Sequence, residues 1–275
     1  MITVVRPGPL TTVQDLGRPG YAHLGVPHSG ALDQPALRRA NALVGNPPAA
    51  AGLETTLMGC ALRFERAARV AITGAVAKVR LDRAPVDGEV IDVPAGAVLD
   101  VGRATRGVRS YLAVAGGIDA EPVLGSRSTD TLSGLGPAKL TDGMTLPIGD
   151  LTGGSPPARA AAQAVDELLL GVRLGPRDDW FVAAELFSSA YTVSPMSNRV
   201  GCRLAGSALT RAKAGELPSE GVVLGAVQVP ADGQPLIFLA DHPTTGGYPV
   251  IGVVDDVAPL AQARPGSTVR FRELD

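Results

Sequence analysis

Thr12-Val13-Gln14-Asp15-Leu16-Gly17-Arg18-Pro19-Gly20-Tyr21-Ala22-His23-Leu24-Gly25 has a counterpart far along the chain, Thr192-Val193-Ser194-Pro195-Met196-Ser197-Asn198-Arg199-Val200-Gly201-Cys202-Arg203-Leu204-Ala205-Gly206. Both stretches place Arg-x-Gly-x4-Gly after a Thr-Val pair, the second with one extra residue before its arginine. Further patterns recur in the same order: Glu54-x4-Gly59 against Glu220-x4-Gly225, then Gly116-Gly117 against Gly246-Gly247. Each half closes on Gly-x-Thr-aliphatic, Gly143-Met144-Thr145-Leu146 and Gly266-Ser267-Thr268-Val269. One match in a glycine-rich chain carries little weight, but an ordered set indicates an internal duplication. Two similar halves are expected to pack with approximate symmetry around a cleft.

The halves read as β-rich. Glycine and proline, 34 and 23 of 275 residues, break helices and make turns between short Val/Leu/Ile runs. Period-2 alternation marks strands at Ala61–Glu65, Val76–Leu81 and Val98–Val101; Arg109–Ala115 and Leu236–Ala240 read as buried strands, and Leu168–Leu174 is a further strand. Two helices are expected. Asp33 caps the first, whose apolar face carries Leu37, Ala40 and Val44 before Gly45-Asn46 ends it. Asp178 or Asp179 caps the second, with Trp180, Ala183, Ala184 and Phe187 on one face. Residues 151–165, rich in Gly, Ser, Pro and Ala, form either a linker or a linker ending in a short helix. The expected organisation is two β-rich domains, 1–155 and 156–275, of barrel-like architecture with a few helices.

Composition excludes several classes. A formal net charge of −2 gives no electrostatic case for nucleic acid or anionic membrane. No run of about 18 apolar residues occurs, and the N-terminus lacks a signal-peptide pattern, so a cytoplasmic protein is expected. Cys60 and Cys202 make neither a disulfide framework nor a C-x-x-C pair. The three histidines suggest no metal site, and no phosphate loop, nucleophile elbow or zinc helix is present. None of the three lysines lies in a Met-Lys-Met context, so no covalent biotin is expected on this chain.

Polar residues gather instead in glycine-rich turns. Gln14 and Arg18 place an amide and a guanidinium fork in one turn, suited to a substrate carboxylate or phosphate, or equally to a neighbouring carbonyl. Gly125-Ser126-Arg127-Ser128-Thr129-Asp130-Thr131 is either an anion nest, with Arg127, Ser128 and Thr129 as its binding candidates, or a capped, solvated turn. Asp241-His242-Pro243-Thr244-Thr245-Gly246-Gly247-Tyr248 follows an apolar strand, a position from which a rigid element aims a loop. Asp241 and His242 are acid–base candidates there. Ser219, Glu220 and Gln228 complete the set, with Glu220 either a base or a carboxylate accepting loop amides.

These same stretches carry a resemblance. TTVQDLGRPGYAHLGVPHSGALDQPALRRANALVGN (11–46), LETTLMG (53–59), YLAVAGGID (111–119), LGSRSTDT (124–131), GPRDDWF (175–181), YTVSPMSNRVGCRL (191–204), SEGVVLGAVQVPADGQP (219–235) and TTGGYP (244–249) resemble the family of 5-oxoprolinase C-type subunits, also called allophanate hydrolase subunit 2 or KipA-like, over essentially the whole chain. The resemblance implies tandem cyclophilin-like β-barrel domains. It also implies a B-type partner (allophanate hydrolase subunit 1 or KipI-like), an A-type partner, and conversion of 5-oxoproline to glutamate at the expense of ATP, with magnesium as its companion. The B-type and C-type proteins would activate the lactam by phosphorylation, and the A-type protein would complete ring opening. Gln14, Arg18, Ser29, Asp33, Arg127, Ser128, Thr129, Asn198, Arg199, Ser219, Gln228, Thr244, Thr245 and Tyr248 are the binding candidates, and Glu220, Asp241 and His242 the catalytic candidates. Relatives extend to a KipA-like regulatory role and to the carboxyltransferase part of urea amidolyase. The chain departs from the family pattern in Asp241-His242-Pro243-Thr244, where Asp-Arg-Gln-Thr is usual, and in Tyr248-Pro249-Val250, where Tyr-Pro-Lys is usual. Asn198 and Cys202 likewise replace Asp and Tyr.

Overall fold

The computed structural model describes residues 1–153 and 166–275, so most of the expected linker, with its alternative helix, lies outside the described residues. The protein is mainly β and falls into two units. The first comprises 1–18, 29–130 and 134–153; the second comprises 19–28, 131–133 and 166–275.

In the first unit the strands are β1 (Ile2–Arg6), β2 (Thr11–Gln14), β3 (Gly52–Thr56), β4 (Ala61–Phe64), β5 (Ala68–Leu81), β6 (Ala84–Val86), β7 (Val90–Val93), β8 (Val98–Val114), β9 (Gly116–Ile118), β10 (Thr145–Leu146) and β11 (Ile148–Leu151). Nine form one sheet with a spine of β10-β1-β4-β8-β3-β2, while β5 pairs with β6, β7 and β8; β9 and β11 form a separate ladder. The sheet curves into a half-barrel. Alternation decides which side is inside: Ile2, Val4, Leu62, Phe64, Leu99 and Val101 are buried together. The runs expected as separate strands, Val98–Val101 and Arg109–Ala115, join into the 17-residue β8. Its pairing with β5 slips between Gly74 and Val79, and such bulges bend a long strand without ending it.

Helix α1 (Gln34–Leu43) forms where expected, with Asp33 Oδ1 accepting the Ala36 N–H at 3.0 Å and Pro35 in the first turn. Ala36 and Leu37 pack with Ala31 and Tyr111, and Ala40 packs with Ala71 and Ala113. Burying Leu37 alone contributes about 2 kcal/mol.

The second unit holds β12 (Glu167–Leu174), β13 (Ala190–Val193), β14 (Gly201–Ala205), β15 (Glu220–Gly221), β16 (Ala226–Gln228), β17 (Leu236–Phe238), β18 (Thr245–Gly246), β19 (Val250–Val254) and β20 (Thr268–Glu273). Seven close a barrel in the order β12-β19-β16-β17-β14-β13-β20, and β15 pairs with β18. Closure comes from parallel pairing of β12 with β20, from Glu167↔Thr268 to Val172↔Glu273. Leu168, Leu170, Val172, Val269 and Phe271 point into the core, where Tyr191 meets Phe271 edge-on at 5.7 Å.

The second expected helix is corrected. Asp178–Trp180 makes one 3-10 turn and Phe181 is extended, leaving α2 as Ala184–Ser188 with no side-chain cap. The break arises because Phe181 bridges to Arg211 and the Val182 N–H donates to the Thr210 carbonyl, which takes these residues out of a helical ladder. Among the described residues no helix is long and apolar enough to cross a membrane.

Candidate functional site

In the second unit the strand β17 runs into Leu239-Ala240 and then the loop 241–249. Asp241 and His242 lie at its mouth, 0% and 7% exposed. Asp241 Oδ2 accepts from Arg199 Nε at 2.8 Å, from the Thr131 N–H at 3.0 Å and from Thr131 Oγ1 at 2.6 Å. Its Oδ1 accepts from Arg199 Nη2 at 2.9 Å. Burial pushes the carboxyl upward, but the Arg199 charge and the bonds from Arg199 and Thr131 outweigh it and hold the group below its ordinary range. With four donors on its two oxygens, Asp241 anchors Arg199 and the Thr131 segment.

His242 Nδ1 donates to the Pro243 carbonyl at 2.6 Å, since a carbonyl only accepts. The ring also packs at a tilt on Phe238, 5.8 Å between centroids.

The β15–β18 ladder pairs Glu220 with Gly246, and the Val222 N–H donates to the Thr244 carbonyl. These bonds bring Ser219 and Glu220 beside Thr244, Thr245 and Tyr248, with Ser219, Thr245 and Tyr248 exposed. Gln228 Nε2 holds the Tyr248 carbonyl at 2.9 Å and lies 2.6 Å from where a side chain on Gly246 would begin, so a larger residue there would have to displace Gln228. Glu220 forms a two-pronged ion pair with Arg177, and that hydrogen bond lowers its pKa against desolvation. Asn198 is a turn residue: Oδ1 accepts the Val200 and Gly201 N–H groups. Arg177 and Thr131 were not among the sequence candidates.

In the first unit the turn read as an anion nest holds an anion from the chain itself. Asp15 Oδ1 accepts from Ser126 Oγ and Ser128 Oγ, both at 2.6 Å, and from the Gly17 N–H at 2.8 Å; Oδ2 accepts the Arg127 N–H at 2.6 Å. Around it, Gln14 Nε2 and Ser29 Oγ both donate to the Thr129 carbonyl. Arg18, 1% exposed, donates to the carbonyls of Ser128 and Val123. Thr129 Oγ1 donates to the Pro137 carbonyl, and Arg127 binds Asp119 and the Ala120 carbonyl. Gln14, Arg18, Ser29, Ser128 and Thr129 are thus brought together as a cross-linked scaffold, and Asp15 is the residue at its centre that the sequence reading left out of the binding set. Asp33 stands apart as the α1 cap, its N–H donating to Tyr111 Oη, which in turn donates to Glu54 Oε2.

A half-barrel and a closed seven-stranded barrel with these loops define a carboxyltransferase-type β protein, and the sequence profile of the carboxyltransferase domain, subdomain A and B, matches residues 24–273. The chain belongs to that family. It is 44% identical to the 5-oxoprolinase C-subunit of Escherichia coli (strain K12), over 98% of this chain and 90% of that protein. It is 35% identical to the urea amidolyase of Lachancea kluyveri over 98% of this chain but 16% of that protein. The crystal structure of the K. lactis urea amidolyase superposes with a TM-score of 0.92 at 31% identity, covering all of this chain and 19% of that one.

Proposed function

We propose that the chain is the C-type component of an ATP-dependent 5-oxoprolinase, working with B-type and A-type partners in the cytoplasm to convert 5-oxoproline to glutamate. The observation that carries this reading is the 44% identity to a 5-oxoprolinase C-subunit along nearly the full length of both chains. A lactam carbonyl is a poor electrophile, and ATP in the complex supplies the phosphoryl group that turns its oxygen into a leaving group. Transfer to the lactam oxygen leaves the ring nitrogen with a proton to lose. His242, at the mouth of this loop, is the base proposed to take it. Ser219, Thr244, Thr245 and Tyr248 supply hydroxyls to orient the substrate, and Arg177 keeps Glu220 ionised beside them. The loop carries no phosphate-cradling helix N-terminus, and among the described residues no group of three or more His, Cys, Asp or Glu is disposed to hold a metal. No residue of this loop is assigned to holding magnesium–ATP, which the complex supplies.

Reconstitution with the A-type and B-type partners tests the proposal by 5-oxoproline-dependent ATP turnover, which is expected only when this chain is present. Turnover equal without it overturns the assignment. His242→Ala is expected to lower that turnover by about 10²-fold or more, the ordinary contribution of a general base, with the complex still assembling on a sizing column. A second reading, a biotin-dependent carboxyltransferase component, is favoured by the family profile and the urea amidolyase likeness. It predicts carboxylation that depends on a separate biotinylated carrier. A purely regulatory KipA-like role predicts capture of a B-type partner with no turnover.

A further inference from the structure

The outward face of the first unit's sheet carries a cleft of about 720 Å³ lined by Val5, Arg6, Ala61, Arg63, Arg80, Asp82, Arg83, Val98 and Asp100. Strand register assembles it. Arg63 on β4 lies opposite Val98 on β8, Ala61 opposite Asp100, and Arg80 on β5 opposite Asp100, so these side chains share one face while Leu62 and Leu99 face the core. Arg6 is fully engaged: it binds Asp100 at 2.6 Å and the carbonyls of Met58, Gly59 and Val101. Asp100 is thereby neutralised. The side chains of Arg63, Arg80 and Arg83 make no hydrogen bond or ion pair to any described residue. Of the lining residues only Asp82 opposes these three charges, and its Oδ1 is turned to the Val98 N–H at 2.8 Å.

The hairpin that delivers Arg83 is strained. Asp82 and Arg83 both adopt left-handed backbone, φ 47° and 74°, at a turn where glycine or asparagine is the relaxed choice. Two bonds hold it there, the Val98 N–H to Asp82 Oδ1 and the Asp82 N–H to the Val98 carbonyl at 2.9 Å. These bonds fix the hairpin that holds Arg83 at the cleft. Strand spacing puts the Arg63 and Arg80 Cα atoms about 12 Å apart. Three guanidinium forks on one face match a chain of phosphates, which offers oxygens to two or three of them at once.

We propose that this cleft is a binding site for a small polyphosphate-bearing anion, free or carried on a nucleoside. It is separate from the loop 241–249 and independent of the 5-oxoprolinase reading, so either can fail without the other. The test is calorimetric titration of the full chain with inorganic tripolyphosphate, ATP, adenosine and a poly-glutamate peptide, at low and high sodium chloride. Saturable binding of tripolyphosphate and ATP is expected, weakened by salt, with none for adenosine. Equal affinities assign the recognition to the phosphates alone, and tighter ATP adds a nucleoside contribution. The variant Arg63→Gln/Arg80→Gln/Arg83→Gln, whose exposed positions leave the core intact by circular dichroism, is expected to lose affinity at least tenfold; Arg38→Gln, exposed elsewhere on the unit, is expected to keep it. No saturable phosphate binding, equal binding by the triple variant, or a preference for poly-glutamate overturns the proposal, the last in favour of an acidic protein segment.

Discussion

Asp241 gathers four hydrogen bonds in a place water does not reach, and its pKa is held low by Arg199 and Thr131. Because the folded value lies below the unfolded one of about 3.9, the pair stabilises the protein above that pH. The stabilisation is lost as pH falls through the folded value. Asp241→Asn is expected to cost about 3–5 kcal/mol by urea unfolding at neutral pH, since it breaks a buried charge pair with Arg199. The gap to wild type should narrow in acid, where the native carboxyl is itself protonated; a gap constant with pH would count against this account. Tyr111, fully buried, has its phenol pushed up by desolvation and by the charges of Glu54 and Asp33. It stays a neutral donor to Glu54, so Tyr111→Phe is expected to cost about 1–3 kcal/mol by removing a partner from both Glu54 and the Asp33 N–H.

Among the elements, α1 was legible because its signals are local: a capping Asp33, apolar residues at helical spacing, and Gly45 beyond its end. Asp33→Ala is accordingly expected to lower stability by about 1 kcal/mol, measured as a lower melting temperature. The second helix was misread because Phe181 and Val182 are claimed by Arg211 and Thr210, some thirty residues on, and no local pattern announces such a bond. The same reason hid Thr131 and Arg177, whose partners Asp241 and Glu220 are distant in sequence. It also hid Asp15 as the occupant of the Ser126–Ser128 turn: the nest was readable, the anion was not. At Gly59, φ is +59° and an added Cβ would sit 2.1 Å from the Val101 carbonyl oxygen. Gly59→Ala should therefore destabilise the β3–β4 turn by more than about 1 kcal/mol, read as a drop in the urea midpoint.

Over the whole molecule the repeat seen in sequence aligns residues that behave alike. Arg18 and Arg199 are each 1% exposed and are the two largest fully buried side chains. Glu54 and Glu220 each pair with an arginine, Arg109 and Arg177. The units differ in completion, since the first keeps an open sheet and the second closes. That closure joins β12 to β20, nearly a hundred residues later, with every other barrel strand between them. During synthesis, β12 emerges from the ribosome long before the strand that completes it. The intervening strands must wait as an unsealed sheet with two raw edges, the condition in which chains pair with strangers. Nascent chains stalled before Thr268 should remain open to protease and dependent on chaperones, and those released beyond Glu273 should become resistant in one step.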